Sequence, residues 1–331
     1  MSYKNILVLG GTGFIGRRLV ERLVAQGCTA CVPTRRRDHA RALFVLPTVE
    51  LVQADIHDPA TLRRLLAGRD AVINLVGILH DTGSATRAGL FGGPAYGARF
   101  AAAHVELPRA LLAACRDRGV TRLLHVGALG ASSTGPSGYL RSKGDGERLL
   151  LEASGMTTTV FSPSVVFGAG DSFLNLFAGL SALLPVLLMG GTDSRLQPVF
   201  VNDLVDAMVH ALDRSDTRGQ RYEICGPTVY TLGELVRFAA RTAGHPRPVI
   251  ALPDGLAQLL ALAFELMPGP TLLSRDNLRS LRADSVASVQ PYVPAAELGI
   301  TPTPLEPQAA LYLRGLHPRT RFGGFRARAR R

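Results

Sequence analysis

Two residues, Tyr139 and Lys143, have the types and the spacing of a proton-transfer pair. They lie four positions apart, so on an α-helix both side chains occupy the same face. A phenol is a useful general acid only where its high pKa is lowered, and a neighbouring ammonium group lowers it. The same ammonium group can bind the ribose of a nucleotide. We therefore predict that Tyr139 is catalytic and that Lys143 has both a catalytic and a cofactor-binding role.

The basic composition supports a chemical role for Lys143, because it is one of only two lysines among 37 basic residues. The pair also needs a hydroxyl that hydrogen-bonds the substrate oxygen, expected at the end of the preceding strand. Gly127 and Ala128 stand there instead. Ser132 or Ser133, in the following loop, is then the candidate for the third catalytic residue, and Ser132 is our prediction. The missing hydroxyl counts against efficient turnover.

A glycine-rich segment, Gly-Gly-Thr-Gly-Phe-Ile-Gly at positions 10–16, follows the first apolar run and precedes a helical pattern. The first glycine of such a loop allows a tight turn, the second lets the backbone approach a diphosphate, and the third permits close helix–strand packing. The helix N-terminus adds free N–H groups and a partial positive charge. We expect a dinucleotide to bind through this loop, at Gly10, Thr12, Gly13, Phe14, Ile15 and Gly16.

The residues after the second apolar run discriminate between cofactors. An NAD site requires a carboxylate there for the adenosine ribose, whereas this chain has Arg35, Arg36 and Arg37. Guanidinium groups suit a 2′-phosphate. The sequence therefore favours NADP(H) over NAD(H), with Arg35 as its ligand; alternatively, Arg36 and Arg37 only decorate a solvated helix start.

Two further strand ends are expected to contact the cofactor. A carboxylate at Asp55, followed by Ile56, can accept a hydrogen bond from the adenine amine. The alternative role of Asp55, as a helix cap, is better filled by Asp58. The end of the fourth apolar run passes beneath the nicotinamide ribose, with Leu75, Val76 and Gly77.

Short apolar runs alternate with helical patterns in the first half of the chain, at 6–9, 29–34, 49–53, 71–75, 122–126 and 157–161. This alternation predicts an α/β protein, a doubly wound Rossmann fold with a parallel sheet covered on both faces. Proline breaks the later pattern, which indicates a smaller C-terminal α/β lobe. We predict an NADP(H)-binding domain at 1–165, an interleaved substrate or partner lobe at 166–313, and a basic, disordered tail at 314–331.

Charge and composition limit the classes of partner that the protein could bind. The net charge is +11, and much of the excess lies in the tail, which could contact anionic lipid, an acidic protein partner or nothing. No aromatic platform accompanies the charge, so nucleic acid is not expected. No metal-ligand cluster is visible, and the Cys28 and Cys31 side chains point to opposite faces of a strand. The chain starts directly with a strand, so we expect a bacterial cytoplasmic protein, with a peripheral position on the inner face of the membrane as a further option.

Several longer motifs resemble those of extended and atypical short-chain dehydrogenases, which are NAD-dependent epimerase/dehydratase-like. The closest resemblance is to the nucleotide-binding accessory subunits of the alpha subcomplex of respiratory complex I and their bacterial relatives. It rests on segments 72–79, 139–143, 163–168, 170–173, 197–203, 226–231 and 274–278. The resemblance implies a bound NADPH that can be structural, with its nicotinamide amide lined by Pro163, Ser164 and Val165. This chain departs from its relatives at two positions, with Gly127 where they often have serine and Ser162 where they often have arginine.

Two main functional hypotheses follow. The first is an NADP(H)-binding protein of the complex I accessory-subunit type, with a tightly bound structural cofactor, a respiratory-complex partner and a link to quinone metabolism. The alternative is an active NADPH-dependent reductase or epimerase/dehydratase that uses Tyr139 and Lys143 on a hydrophobic or nucleotide-linked carbonyl compound. A third, weaker hypothesis is a membrane-surface redox sensor acting through the tail. The sequence leaves open whether the protein is an enzyme and whether it binds a quinone-like ligand.

Overall fold

The computed structural model describes residues 2–81, 96–269 and 271–316. The predicted tail therefore lies outside the described residues, apart from a short 3₁₀ turn at Arg314–Leu316. The described chain forms two compact units. The first comprises residues up to 163 together with 201–224 and 293–301, and the second comprises 164–200, 225–292 and the residues from 302 onwards. The roles assigned to the two predicted domains remain predictions.

The secondary structure consists of short strands and helices of at most 14 residues. The strands are β1 Asn5–Leu9, β2 Thr29–Thr34, β3 Val49–Gln53, β4 Ala71–Asn74, β5 Arg122–Val126, β6 Thr157–Pro163, β7 Val166–Phe167, β8 Leu187–Met189, β9 Arg195–Leu196, β10 Val199–Phe200, β11 Arg221–Ile224, β12 Tyr230–Thr231 and β13 Val249–Ala251. The α-helices are α1 Phe14–Ala25, α2 Pro59–Leu66, α3 Ala98–Ala101, α4 Leu107–Arg118, α5 Gly138–Leu151, α6 Leu174–Leu183, α7 Val201–Asp213, α8 Leu232–Thr242, α9 Asp254–Leu266, α10 Arg275–Ser280 and α11 Leu305–Leu313.

The first unit contains a seven-stranded sheet in the order β11-β6-β5-β4-β1-β2-β3. Every pairing in it is parallel. The six predicted strands are confirmed, and so is the doubly wound fold class. β11 was not predicted; it joins the edge of the sheet beside β6 from much later in the chain.

Both faces of this sheet are covered by helices, as a parallel sheet requires. On one face α2 and α4 pack against each other over a leucine-rich core. Helix α1 packs against α7, which returns to this unit from residue 201 onwards. The central strands β4 and β5 are consequently buried along their whole length. In open sheets of this kind ligands bind beyond the carboxyl ends of the strands.

The second unit contains three two-stranded pairings, β7 with β10, β8 with β13 and β9 with β12. Its core lies between α6, α8 and α11 and includes Phe167, Leu235 and Leu305. Helix α9 buries Ala257 and Ala261 and exposes Leu259 and other apolar side chains. None of the helices in the described ranges is long and apolar enough to cross a membrane.

Arg122 joins the start of β5 to the C-terminal end of α7. Its side chain is fully buried, and burial lowers the pKa of its guanidinium to about 10. The guanidinium donates to backbone and hydroxyl oxygens at 2.5–3.2 Å, namely those of Leu212, Ala211, Thr157, Thr159 and Thr217. This charge is thus stabilised by neutral oxygens.

We expect Arg122→Met to lower the free energy of unfolding by about 3 kcal/mol or more, because several buried acceptors lose their donor. Arg63→Met is the matched control, since the Arg63–Asp117 pair at 2.9 Å is about half exposed and such pairs contribute about 1 kcal/mol or less. Denaturant unfolding monitored by circular dichroism measures both. Equal losses in the two variants would contradict the structural role of Arg122.

Candidate cofactor-binding and catalytic site

The glycine-rich loop connects β1 to α1 with a tight turn. Gly10 has a positive φ of 81°, and the N–H of Gly13 donates to its carbonyl at 3.0 Å. A Cβ at Gly16 would fall on the same carbonyl oxygen, so helix α1 can approach the loop only with glycine there. The structure therefore places Gly10 and Gly16 in the turn and packing positions that the sequence predicts.

The N-terminus of α1 is electrostatically suited to an anion. Gly13 is the N-cap, no side chain caps the helix, and its first turn contains no acidic residue. The first N–H groups of the helix, with Phe14 and Ile15, therefore have no competing carboxylate, and the helix dipole is not offset. Thr12 precedes the cap and is partly exposed. This arrangement can bind a diphosphate.

The three arginines after β2 differ in their contacts. Arg36 forms a two-point ion pair with Asp38, at 2.7 and 3.3 Å. The guanidinium of Arg37 lies 6.0 Å from the centre of the Phe44 ring. Arg35 is exposed and forms no ion pair within the described ranges. Of the three guanidinium groups, that of Arg35 is therefore the most available for an added phosphate.

The ends of β3 and β4 present the other predicted cofactor contacts. Asp55 is exposed and accepts from the N–H of His57 at 3.0 Å, while Ile56 is partly buried. Asp58, as expected, caps α2. After β4, the Asn74 side chain accepts from the N–H of Val76 at 3.1 Å and shapes the segment of Leu75, Val76 and Gly77. The adenine and ribose contacts assigned to these residues remain predictions.

Lys143 lies on α5, which begins after the buried N-cap Ser137. Its ammonium group donates to the carbonyl of Val126, at the end of β5, at 3.0 Å. A Cβ at Gly77 would lie 3.1 Å from the same nitrogen. Burial lowers the pKa of Lys143 to about 8, although the charge of Glu147 opposes this. The ammonium thus lies at the carboxyl edge of the sheet, between the ends of β4 and β5.

Tyr139 lies one turn before Lys143, and its ring makes edge contacts with Phe100 and His104. Burial and, secondarily, the charge of Glu147 raise the pKa of Tyr139 to about 12, although part of the ring is exposed. The lowered pKa expected from the sequence is not found, because burial and the charge of Glu147 both raise the pKa of Tyr139. Tyr139 is therefore protonated at neutral pH and can donate a proton or a hydrogen bond.

His104 was not singled out by the sequence, yet it joins three parts of the site. It lies in a π-helical turn, Ala102–Glu106, between α3 and α4. Its Nε2 accepts from the N–H of Ile78 at 3.1 Å, so Nδ1 carries the proton and donates to Ser142 at 2.8 Å. The Ser142 hydroxyl donates to the Tyr139 carbonyl at 2.9 Å. Burial and the Lys143 charge lower the pKa of His104 to about 2.

Glu147, also not predicted, is buried one turn after Lys143 on α5. One carboxylate oxygen accepts from the N–H of Ala128 at 2.9 Å, and the other pairs with Arg221 on β11 at 2.8 Å. A Cβ at Gly127 would fall on the Glu147 carboxylate. The carboxylate therefore occupies the space that a side chain at position 127 would need. The sequence signal was the third member of a series on one helix face, 139, 143 and 147.

Ser132, the predicted third catalytic residue, is exposed, and its hydroxyl lies 3.1 Å from that of Thr134. Its backbone packs against α5, because a Cβ at Gly144 would lie 2.5 Å from the Ser132 carbonyl carbon. The described contacts do not bring its hydroxyl to Tyr139. Its catalytic role remains a prediction.

The residues predicted to line the nicotinamide amide follow β6. The Pro163 carbonyl accepts from the N–H of Leu129 at 2.9 Å, within the first unit. In the second unit, Ser164 donates to the Ser285 carbonyl at 2.7 Å, and the Val165 carbonyl accepts from Val199 at 2.9 Å. These bonds order the segment through its backbone, and its contact with a cofactor remains a prediction.

Comparison with known proteins places these motifs in one family. The model of the NAD dependent epimerase/dehydratase family matches residues 6–225, which contain the glycine loop and the Tyr139–Lys143 pair. The chain belongs to this family. The predicted relationship is confirmed, and the site is that of an epimerase/dehydratase-family protein that binds a nicotinamide dinucleotide.

Individual proteins that are similar to this chain carry different names. The chain is 30% identical to NADH dehydrogenase [ubiquinone] 1 alpha subcomplex subunit 9, mitochondrial, of Arabidopsis thaliana, over 85% of this chain and 70% of that protein. It is also 30% identical to a ceramide reductase of Caulobacter vibrioides, over 75% of this chain and 74% of that protein. The predicted resemblance to complex I accessory subunits is confirmed as homology.

A solved structure of this fold supports the Rossmann architecture. UDP-glucuronic acid 4-epimerase from Bacillus cereus, in complex with UDP-glucuronic acid and NAD, has a TM-score of 0.67 and 16% identity. The match covers 95% of this chain and all of that one. At this identity the likeness establishes the fold.

Burial of His104 in its neutral form makes the free energy of unfolding depend on pH. The unfolded chain takes up a proton at His104 below about pH 6.5, whereas the folded chain does so only at about pH 2. Folding stability therefore falls with acidification, and His104 contributes about 1.4 kcal/mol per pH unit between about pH 6 and pH 4. We expect His104→Gln to reduce the slope by about that amount.

Denaturant unfolding at a series of pH values measures this slope. His57→Gln, at an exposed position, is the matched control. Equal slopes in the wild type and His104→Gln would show that His104 is not buried in its neutral form.

Proposed function

We propose that the protein binds NADP(H) tightly and retains it as a structural cofactor, in the manner of a complex I accessory subunit. The observation that carries this proposal is an asymmetry in the site. The half that faces a cofactor has an uncapped helix start, an available Arg35 and a buried Lys143. The half that would face a substrate has no hydroxyl at Gly127 or Ala128, and the described contacts do not bring the Ser132 hydroxyl to Tyr139.

The proposed cellular setting follows from the relatives. Several curated relatives are named as subunits of the respiratory NADH dehydrogenase. We propose that the protein has a respiratory-complex partner or a quinone-linked role. We place it in a bacterial cytoplasm, and a peripheral position on the membrane is part of the same proposal. The Arg-rich tail lies outside the described residues, and its contact with anionic lipid is part of the same proposal.

A second candidate function is reduction of a hydrophobic carbonyl compound. It is favoured by the relative named ceramide reductase, which matches this chain at the same identity as the Arabidopsis thaliana subunit. Tyr139 would then donate a proton to the substrate oxygen as hydride arrives from NADPH, and Lys143 would hold the ribose. An epimerase or dehydratase acting on a nucleotide-linked sugar is the other form of this alternative.

Mass spectrometry of the ligand released from the purified, denatured protein tests the first proposal. We expect NADPH or NADP⁺ at close to one molecule per chain, and no oxidation of bound NADPH with quinones, ceramide-type ketones or nucleotide sugars. Turnover that is abolished by Tyr139→Phe, with cofactor affinity retained, would instead establish the enzyme. Protein that carries no cofactor and shows no thermal stabilisation with either reduced dinucleotide would refute both.

Arg35 should determine the preference for the extra phosphate. We expect Arg35→Ala to weaken NADPH binding by about tenfold or more, because a charge-assisted hydrogen bond is worth about 1.5–3 kcal/mol. NADH binding should change little. Arg37→Ala, which removes the guanidinium beside Phe44, is the matched control. Fluorescence titration of both cofactors gives the affinities, and equal weakening of NADPH and NADH would exclude a phosphate-specific role.

A further inference from the structure

We propose that Glu147 is the counter-charge and positioning residue of Lys143, and that Arg221 holds Glu147 in that role. This inference deepens the proposed function, and it rests on that function where Lys143 is taken to bind the cofactor ribose. Neither Glu147 nor Arg221 belongs to the glycine loop or to the predicted catalytic residues.

The Glu147 carboxylate is fixed from three elements of the sheet unit. Its own backbone is on α5, one turn after Lys143. One oxygen accepts from the N–H of Ala128, after β5, and the other pairs with Arg221 on β11. Only 3% of Glu147 is exposed, so water cannot substitute for these partners. A carboxylate held in this way has a single position relative to the ammonium four residues earlier.

Lys143 requires such a charge. An ammonium group buried at 4% exposure is costly unless an opposite charge or several acceptors compensate for it. Its acceptor at the sheet edge is the carbonyl of Val126. The titratable groups that face it from the π-helical turn, β5 and its own helix are His104, His125 and Tyr139, and none of these is an anion at neutral pH.

Glu147 is the negative charge that opposes the effect of burial on the pKa of Lys143. Arg221, on β11, is the cation that most strongly opposes the effect of burial on the pKa of Glu147. The charges of Arg221, Glu147 and Lys143 thus alternate in sign, from β11 to the carboxyl edge of the sheet. The geometry agrees with this order. Arg221 pairs with the Glu147 carboxylate at 2.8 Å, and Lys143 and Glu147 bind backbone groups two residues apart at the end of β5, the carbonyl of Val126 and the N–H of Ala128.

Two small residues, at positions 127 and 162, surround the same carboxylate. Gly127 leaves room for it, because a Cβ there would collide with Glu147. The Ser162 hydroxyl accepts from Arg221 at 3.0 Å and lies 3.4 Å from Glu147. Ser162 on β6 is therefore a second contact that holds Arg221 beside the carboxylate.

The composition makes the experiment direct, because the chain has only two lysines, Lys4 and Lys143. Protein labelled with [¹³C,¹⁵N]lysine gives two side-chain signals, and titration of the Cε shift reports each pKa without cofactor or activity. Lys143→Arg assigns the signals. Glu147→Gln keeps the size of the side chain and removes its charge, whereas Glu147→Asp keeps the charge and shortens the reach. Glu50→Gln, at a half-exposed carboxylate that pairs with Arg69, is the matched control.

We expect Glu147→Gln to lower the pKa of Lys143 from about 8 by about one unit or more. Glu147→Asp should retain most of the wild-type value, and Glu50→Gln should leave it unchanged. An unchanged Lys143 titration in Glu147→Gln would overturn the proposal. So would an equal shift in the Gln and Asp variants, since that result would indicate packing rather than charge. Thermal unfolding confirms that each variant is folded.

The pH dependence of NADPH affinity links this result to the cofactor. In the wild type, binding should weaken as pH rises through about 8, where Lys143 loses its proton. In Glu147→Gln the same weakening should begin at a lower pH. Failure of the wild type to bind NADPH would refute the proposed function and leave the lysine titration readable, so the two failures are distinguishable. An unaltered affinity profile together with a lowered Lys143 pKa would show that the charge of Lys143 does not act on the cofactor, and would overturn that link.

Discussion

A protonated amine enclosed at the carboxyl edge of a parallel sheet is the constraint on which this site depends. Lys143 is almost fully buried, and its ammonium group touches the end of β5 and the segment after β4. An ion in such a place is stable only if the surrounding groups are arranged for it. The neutral tautomer of His104 and the orientation of Glu147 both satisfy this requirement.

Close approach of backbones is the second constraint, and it explains where the chain uses glycine. Gly16 allows α1 to pack on the turn at Gly10, and Gly146 allows α5 to pack on the carbonyl of His104. That carbonyl cannot accept the usual helical bond, because Pro108 follows four residues later and has no N–H. The π-helical turn accommodates the proline, and a turn of this kind is a frequent feature of functional sites. It brings the imidazole of His104 to Ile78 and Ser142.

Local sequence patterns were sufficient to predict the six strands and the glycine loop. A parallel strand that is buried on both faces appears in the sequence as a short apolar run, which can be recognised without the structure. β11 was missed because Arg221 and Glu223 interrupt its pattern and its partner, β6, lies about sixty residues earlier. Glu147 and His104 were missed for a related reason. Their roles come from contacts with Ala128, Arg221 and Ile78, which no spacing along one helix reveals. The direction of the Tyr139 pKa shift was wrong because a motif shows the neighbouring ammonium but not the burial.

The same geometry separates the two functions proposed for this chain. Binding a dinucleotide would require only the loop, the helix start and Lys143. Catalysis demands one more group, a donor next to Tyr139 that holds the substrate oxygen. In this chain the space beside Gly127 is filled by the carboxylate of Glu147, which is buried and paired with Arg221. The residue that keeps Lys143 charged is thus also the residue that excludes a hydroxyl at position 127. An enzyme with this arrangement would need a hydrogen-bond donor for the substrate oxygen from a position other than 127, and Ser132 and Ser133 are the hydroxyls that the following loop offers.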